Sequence, residues 1–327
     1  TPDNVNTKLM QRLELLRSIY PSLNSFCREN LGWQACPIDL LWRLWLPLAL
    51  QLSDWHRIAG HCLIQGILGG QGTGKTTLTT ILGQILTQMG LQVCRLSIDD
   101  LYKTYQERQQ LQQIDPRWRW RGPPGTHDVE LGLTVLRQLR DAPIPDTSTP
   151  GITTPQPIAI PRFDKSAQGG AGDRSEPEWI NAADLVLFEG WFVGVRPIDP
   201  VAFETAPPPI ETEADRQFAR DVNARLADYL PLWDLLDRLI ILYPSDYRLS
   251  QQWRQQAEQQ MIASGKAGMS EAEIQQFVQY FWRSLHPDLF VTSLLNRTDL
   301  VDLIIEIDSD HRLVRVCPAS ASPDLDH

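Results

Sequence analysis

Apolar residues follow two periodicities along this chain, and their alternation predicts an α/β fold. Continuous apolar runs at 61–68, 184–190 and 238–243 read as strands buried on both faces, the pattern of a central parallel sheet. Residues 92–98, 301–307 and 312–316 add three more strands. Helical spacing takes over between them: Leu78, Ile81, Leu82, Ile85, Leu86 and Met89 share one face, and Gly90 follows as a C-cap. Leu9, Leu13 and Leu16 open a helical stretch before the first strand, continued by a tryptophan-rich segment with Trp33, Trp42, Trp45 and Trp55. Trp42 and Trp45 fall on one helix face, which we expect to pack against the body of the protein rather than to stack nucleobases. Residues 218–230 and 247–262 read as later helices. Residues 103–128 are polar and then arginine-rich, 143–177 are rich in proline and glycine, and both read as loops; 204–216 read as a solvated acidic connector. No internal repeat is evident.

Between the first strand and the first regular helix stands Gly69-Gly70-Gln71-Gly72-Thr73-Gly74-Lys75-Thr76, a full match to the G-x-x-x-x-G-K-[ST] phosphate loop, with Thr77 following. Both flanks have the order such a loop needs. The glycines let backbone N–H groups turn inward on a phosphate, and the helix N-terminus adds its partial positive charge at the same point. Lys75 would reach the β- and γ-phosphates, and Thr76 would ligate Mg²⁺. The expected architecture is therefore a P-loop NTPase fold: a mostly parallel sheet flanked by helices, with an N-terminal helical extension, binding ATP with Mg²⁺.

Composition narrows the partners. The 327 residues are 42% apolar, enough for a large core, and a net charge of −10 argues against a nucleic-acid partner, which would need a basic face. Cys27, Cys36, Cys62, Cys94 and Cys317 are scattered, with no C-x-x-C spacing, and read as reduced thiols in a cytoplasm-like compartment, or an organelle stroma if a presequence was removed. Residues 40–52, the longest apolar stretch, contain Arg43 and Pro47 and are too short to span a bilayer, so no membrane partner is expected. The N-terminus carries no secretory pattern.

Phosphoryl transfer to an alcohol needs a cradle for the triphosphate, a metal, a base and mobile cations, and the chain has a candidate for each. Asp99, in the Asp99-Asp100 pair ending the second strand, is the candidate base, with Asp100 as the fallback. Glu189 ends the strand expected beside the phosphate loop, where an acid would hold the Mg²⁺ shell through water. Arg248 and Arg254 lie on the helical stretch after the fourth strand, about 60° apart around the helix, so that one of them would face the phosphates as a lid arginine.

These motifs, together with Arg121-Gly122-Pro123-Pro124-Gly125-Thr126-His127-Asp128, Pro161-Arg162-Phe163-Asp164-Lys165-Ser166, Gly172-Asp173-Arg174 and Phe188-Glu189-Gly190-Trp191, resemble plant-type D-glycerate 3-kinase over about residues 60–316. The wider group of uridine kinase, phosphoribulokinase and pantothenate kinase shares the phosphate loop, the acid after the second strand and the lid. It lacks the segment from Asp164 to Arg174. The resemblance implies ATP-dependent phosphorylation of the 3-hydroxyl of D-glycerate, giving 3-phosphoglycerate, the closing step of photorespiratory carbon recovery. Arg121, His127, Lys165 and Arg174 are then the expected donors to the substrate carboxylate, with Asp99 at its hydroxyl. Phe163 and Ala171 stand where the resemblance leads one to expect tyrosine and arginine.

The rival readings are a nucleoside or pantothenate kinase and a nucleotide-dependent switch ATPase. Asn296-Arg297-Thr298-Asp299 resembles a guanine-reading motif but has arginine for lysine and no accompanying switch, and we read it as chance. The expected organisation is an N-terminal helical extension (1–58), a kinase domain (59–320) with substrate loops (103–177) and lid (246–290), and a tail (321–327). Oligomeric state is open, a monomer being favoured.

Overall fold

The computed structural model describes residues 2–143, 156–263 and 269–319. Its centre is a six-stranded sheet in the order β2-β5-β1-β6-β7-β8, formed by β1 (Leu63–Gly69), β2 (Val93–Ser97), β5 (Leu185–Gly190), β6 (Arg238–Pro244), β7 (Leu303–Ile307) and β8 (Leu313–Pro318). All neighbours are parallel except β8, which runs antiparallel to β7. The continuous apolar runs have a simple cause, since both faces of the parallel strands are covered. Leu63, Ile67, Leu187 and Ile240 face one helical layer, and Ile64, Leu68, Phe188 and Ile241 face the other.

The first layer holds α1 (Pro2–Asn30), α2 (Leu46–Ala59) and α3 (Lys75–Gln88). Ile19, Leu23 and Cys27 of α1 are buried in the same cluster as Ile81, Leu82 and Ile85 of α3, and Ser22 donates to Gln88. The helical reading of the residues before β1 holds. Trp45 is buried and stacks on Trp33, while Trp42 carries the Arg12 guanidinium on its ring, so the two tryptophans are taken up within this layer.

The region read as loops is more ordered than expected. It contains α4 (Tyr105–Ile114), α5 (Val129–Asp141) and an antiparallel hairpin of β3 (Ile158–Asp164) and β4 (Asp173–Ile180); residues 144–155 lie outside the described residues. Pro161 and Pro177 hide the strands from pattern reading, and the register shifts between Ile160 and Arg162, the kind of bulge at which a strand tolerates proline. The acidic connector is likewise shorter than expected, because α6 (Glu213–Arg225) already begins where Thr212 and Asp215 form a capping box.

After β6 come α7 (Leu249–Ala263) and α8 (Glu271–Ser284), whose inner face sets Phe277 and Phe281 towards the sheet's C-terminal edge. Part of the expected lid, residues 264–268, and the tail at 321–327 lie outside the described residues. Among the described residues no helix is long and apolar enough to cross a membrane.

Candidate active site

The C-terminal edge of the sheet carries a cleft of about 520 Å³, floored by the phosphate loop and walled by the end of β2, the β3–β4 hairpin tip and the α7–α8 pair. Residues 70–74 form the loop. Gly72 and Gly74 have φ of +80° and +87°, values that side chains rarely adopt, and a Cβ at Gly72 would stand 2.7 Å from Trp253 Cβ. Lys75 Nζ donates to the Gly70 carbonyl at 2.8 Å, folding its ammonium back over the loop, and Thr73 Oγ1 donates to the same oxygen. Burial pulls the Lys75 amine below its ordinary value, and the carboxylates of Glu189 and Asp99 oppose that pull. Thr76 and Thr77 lie in the first turn of α3.

Strand register brings two acids to this edge. Glu189 pairs across β5 with Ile67 on one side and Ser97 on the other, and its Oε1 accepts from Thr76 Oγ1 at 3.0 Å. A hydroxyl and a carboxylate at that separation are hard oxygen donors of the kind Mg²⁺ takes alongside nucleotide phosphates. Asp99 lies in a turn of 3₁₀ helix (Ile98–Leu101) capped by Ser97. Burial pushes its carboxyl up, but the charge and hydrogen bond of Lys165 and a hydrogen bond from Tyr102 outweigh that and hold it below the ordinary carboxylate value. The Lys165 Nζ to Asp99 Oδ2 distance is 2.6 Å. Asp100 turns the other way, accepting from the Ser97 amide and pairing with Arg162 at 3.1 Å.

Of the four expected carboxylate donors, the structure brings two into the cleft. Arg121 lines it while donating to the carbonyls of Gly170 and Ala171, and Lys165 reaches it from the hairpin tip. Arg174 is used elsewhere: it donates to Asp128 at 2.7 Å and to the Tyr102 carbonyl, tying the hairpin to the start of α5. His127 is 2% exposed, stacks on Tyr102 and bonds Tyr229 through Nδ1 at 2.9 Å. Burial drives its pKa down to about 3, so among the expected donors it is a neutral ring and not a cation.

The two lid arginines separate just as clearly. Arg254 lines the cleft, with its guanidinium 5.2 Å from the Phe277 ring centre and paired to the buried Glu258. Arg248 does not line the cleft; its side chain is 71% exposed and pairs with Asp246 two residues away. Sequence reasoning missed Tyr102, which touches Asp99, and Trp253, which packs on Gly72 and stacks on His311, itself bonded to the Gly72 carbonyl at 2.6 Å. Tyr102 closes the Asp99-Asp100-Leu101-Tyr102 turn and could have been weighed with it; nothing local marks Trp253.

A phosphate loop at the end of β1, an acid at the end of the adjacent β5, a second acid in the turn after β2 one strand further out, and a helical pair bearing an arginine define an ATP-dependent P-loop kinase. Comparison with known proteins makes this more particular. The chain is 33% identical over 230 residues to an uncharacterized kinase of Schizosaccharomyces pombe, covering 68% of this chain and 79% of that protein. It is 29% identical over 259 residues to the chloroplastic D-glycerate 3-kinase of Arabidopsis thaliana, covering 76% of this chain and 53% of that protein. The solved D-glycerate 3-kinase of Cryptococcus neoformans superposes with a TM-score of 0.69 at 26% identity, over 83% of this chain and 99% of that one. No protein-family model matches the chain. The chain belongs to the same family of P-loop kinases as the Schizosaccharomyces pombe kinase, and it is similar to the D-glycerate 3-kinases of Arabidopsis and Cryptococcus.

Proposed function

We propose that this kinase transfers the γ-phosphoryl group of MgATP to the 3-hydroxyl of D-glycerate, giving 3-phosphoglycerate and ADP, as in photorespiratory carbon recovery. The observation that carries the reading is the meeting of Asp99, Arg121 and Lys165 in one cleft above the phosphate loop. A small hydroxy acid needs a base at its alcohol and cations at its carboxylate, and these three supply both within one small-molecule span. The names of the Arabidopsis and Cryptococcus relatives point to the same acceptor.

In this reading the amides of residues 69–77 and Lys75 hold the triphosphate, and Thr76 with Glu189 would hold Mg²⁺, which would supply neutralisation of the charge on the transferring phosphates. Asp99 accepts the hydroxyl proton as the alcohol oxygen attacks phosphorus and the bond to the β-phosphate oxygen breaks. Arg121 binds the acceptor carboxylate bidentately, Lys165 leaves Asp99 to join it, and Arg254 moves over the transferring group.

The test is Mg²⁺-dependent ADP release with D-glycerate, L-glycerate, uridine, cytidine and pantothenate side by side. D-glycerate alone should stimulate it. Stimulation by a nucleoside or pantothenate would replace the acceptor, and stimulation by none of them would favour a nucleotide-dependent switch.

A further inference from the structure

Behind Arg121 and the hairpin tip lies a second cavity, of about 300 Å³, set between α4 and residues 118–121. Arg108, Arg119 and Arg121 line it with Tyr105, Gln109 and Gln112. Among the described residues none of these arginines pairs with a carboxylate. Arg108 donates to the carbonyls of Lys103, Ala171 and Gly172, Arg121 to those of Gly170 and Ala171, and Arg119 lies on the Trp120 ring, 4.0 Å from its centre. Asp173, whose charge acts on Arg108, spends its oxygens on the amides of Tyr105 and Arg174 and on Gln168. Arg117 next door shows the usual arrangement, pairing with both Asp115 and Asp221.

Three guanidinium groups without a counter-ion around one cavity, in a chain of net charge −10, need a reason. Arg119 is exposed, but Arg108 and Arg121 are half-buried charges that repel one another and lose hydration, and an oxyanion between them relieves both costs. Backbone carbonyls satisfy some N–H groups of Arg108 and Arg121 but cancel no charge. Each nitrogen of Arg108 already serves a carbonyl, whereas Arg121 uses only Nη1 and Arg119 none among the described residues; their remaining planar donors match a carboxylate or a phosphate, and the amides of Gln109 and Gln112 offer neutral donors beside them.

We propose that this cavity is an oxyanion subsite, separate from the phosphate loop, that takes the carboxylate or phosphate-monoester group of a small metabolite through Arg108, Arg119 and Arg121. Trp120, Arg121 and Gly170 line both this cavity and the active-site cleft, so the anion is either the far end of the acceptor itself or the phosphate of a second, phosphorylated compound.

The test is calorimetric titration of inorganic phosphate into the full chain, at fixed ionic strength, with ADP and Mg²⁺ saturating the phosphate loop. One phosphate should bind, about tenfold more weakly or worse in both Arg108→Gln and Arg119→Gln. Ala171 lies on the cavity wall beside Arg108, so the double variant Arg108→Gln/Ala171→Arg, returning a guanidinium from that wall, should regain binding. Arg119 makes no hydrogen bond among the described residues, so its variant leaves the hairpin contacts intact. Competition by D-glycerate would assign the anion to the acceptor, and its absence to a second ligand. No phosphate binding, or equal binding in both single variants and the parent chain, overturns the proposal. The readout is independent of turnover: phosphate binding lost in Arg119→Gln, in a chain that does not phosphorylate D-glycerate, would keep this subsite and discard the acceptor.

Discussion

Asp99 and Asp100 are neighbours in sequence and opposites in circumstance. Asp100 caps the turn and pairs with Arg162, whereas Asp99 faces the cleft between Lys165 and Tyr102. Asp99→Asn should therefore keep ATP affinity and lose turnover by about 100-fold or more, read by nucleotide titration beside steady-state rates. Lys165 holds the Asp99 carboxyl down against burial, so the acid limb of the pH profile of kcat/KM should lie below the usual carboxylate range. Removing that charge lets burial dominate: in Lys165→Met the limb should move to higher pH, and an unmoved limb would dissociate Asp99 from the proton transfer. Both acids and Lys165 are legible from motifs. Their division of labour is not, because it depends on which way a turn of 3₁₀ helix points two adjacent side chains. His127 makes the same point: its motif suggests a donor, and only its burial against Tyr102 and Tyr229 shows that it is neutral.

At the scale of elements, the two arginines expected on one helix part company: α7 starts at Leu249, so Arg248 falls in the turn before it and only Arg254 is carried by the helix. Arg254→Ala should lower kcat, and Arg248→Ala should leave it within about twofold, since an exposed pair such as Arg248 with Asp246 contributes little. Equal losses in the two variants would mean that the turn before α7 carries Arg248 into the cleft. The turn after Arg121 is equally constrained: Gly122 has φ of +135°, and a Cβ there would come within 2.3 Å of Phe281. Gly122→Ala should cost about 1–3 kcal/mol in strain alone, seen as a lower melting temperature. The hairpin escaped pattern reading because Pro161 and Pro177 interrupt its strands, and α4 because its polar sequence buries no residue fully.

For the whole molecule, the sheet's first helical layer joins α1 and α2 to α3 in one buried cluster. Leu23, fully buried at that junction, should cost about 2–5 kcal/mol when changed to Ala, and calorimetry should still show a single unfolding transition. Two transitions would mean that the N-terminal helices melt on their own. By itself the sequence determined the parallel sheet, the phosphate loop and the acids at its rim, because continuous apolar strands and a glycine-rich strand-to-helix turn are local patterns with one physical solution. Tertiary structure alone decided which cations face the cleft. Arg121, Lys165 and Arg254 reach the cleft while Arg174 and Arg248 pair elsewhere, since a guanidinium goes to whichever carboxylate or carbonyl the packing of distant elements leaves within reach.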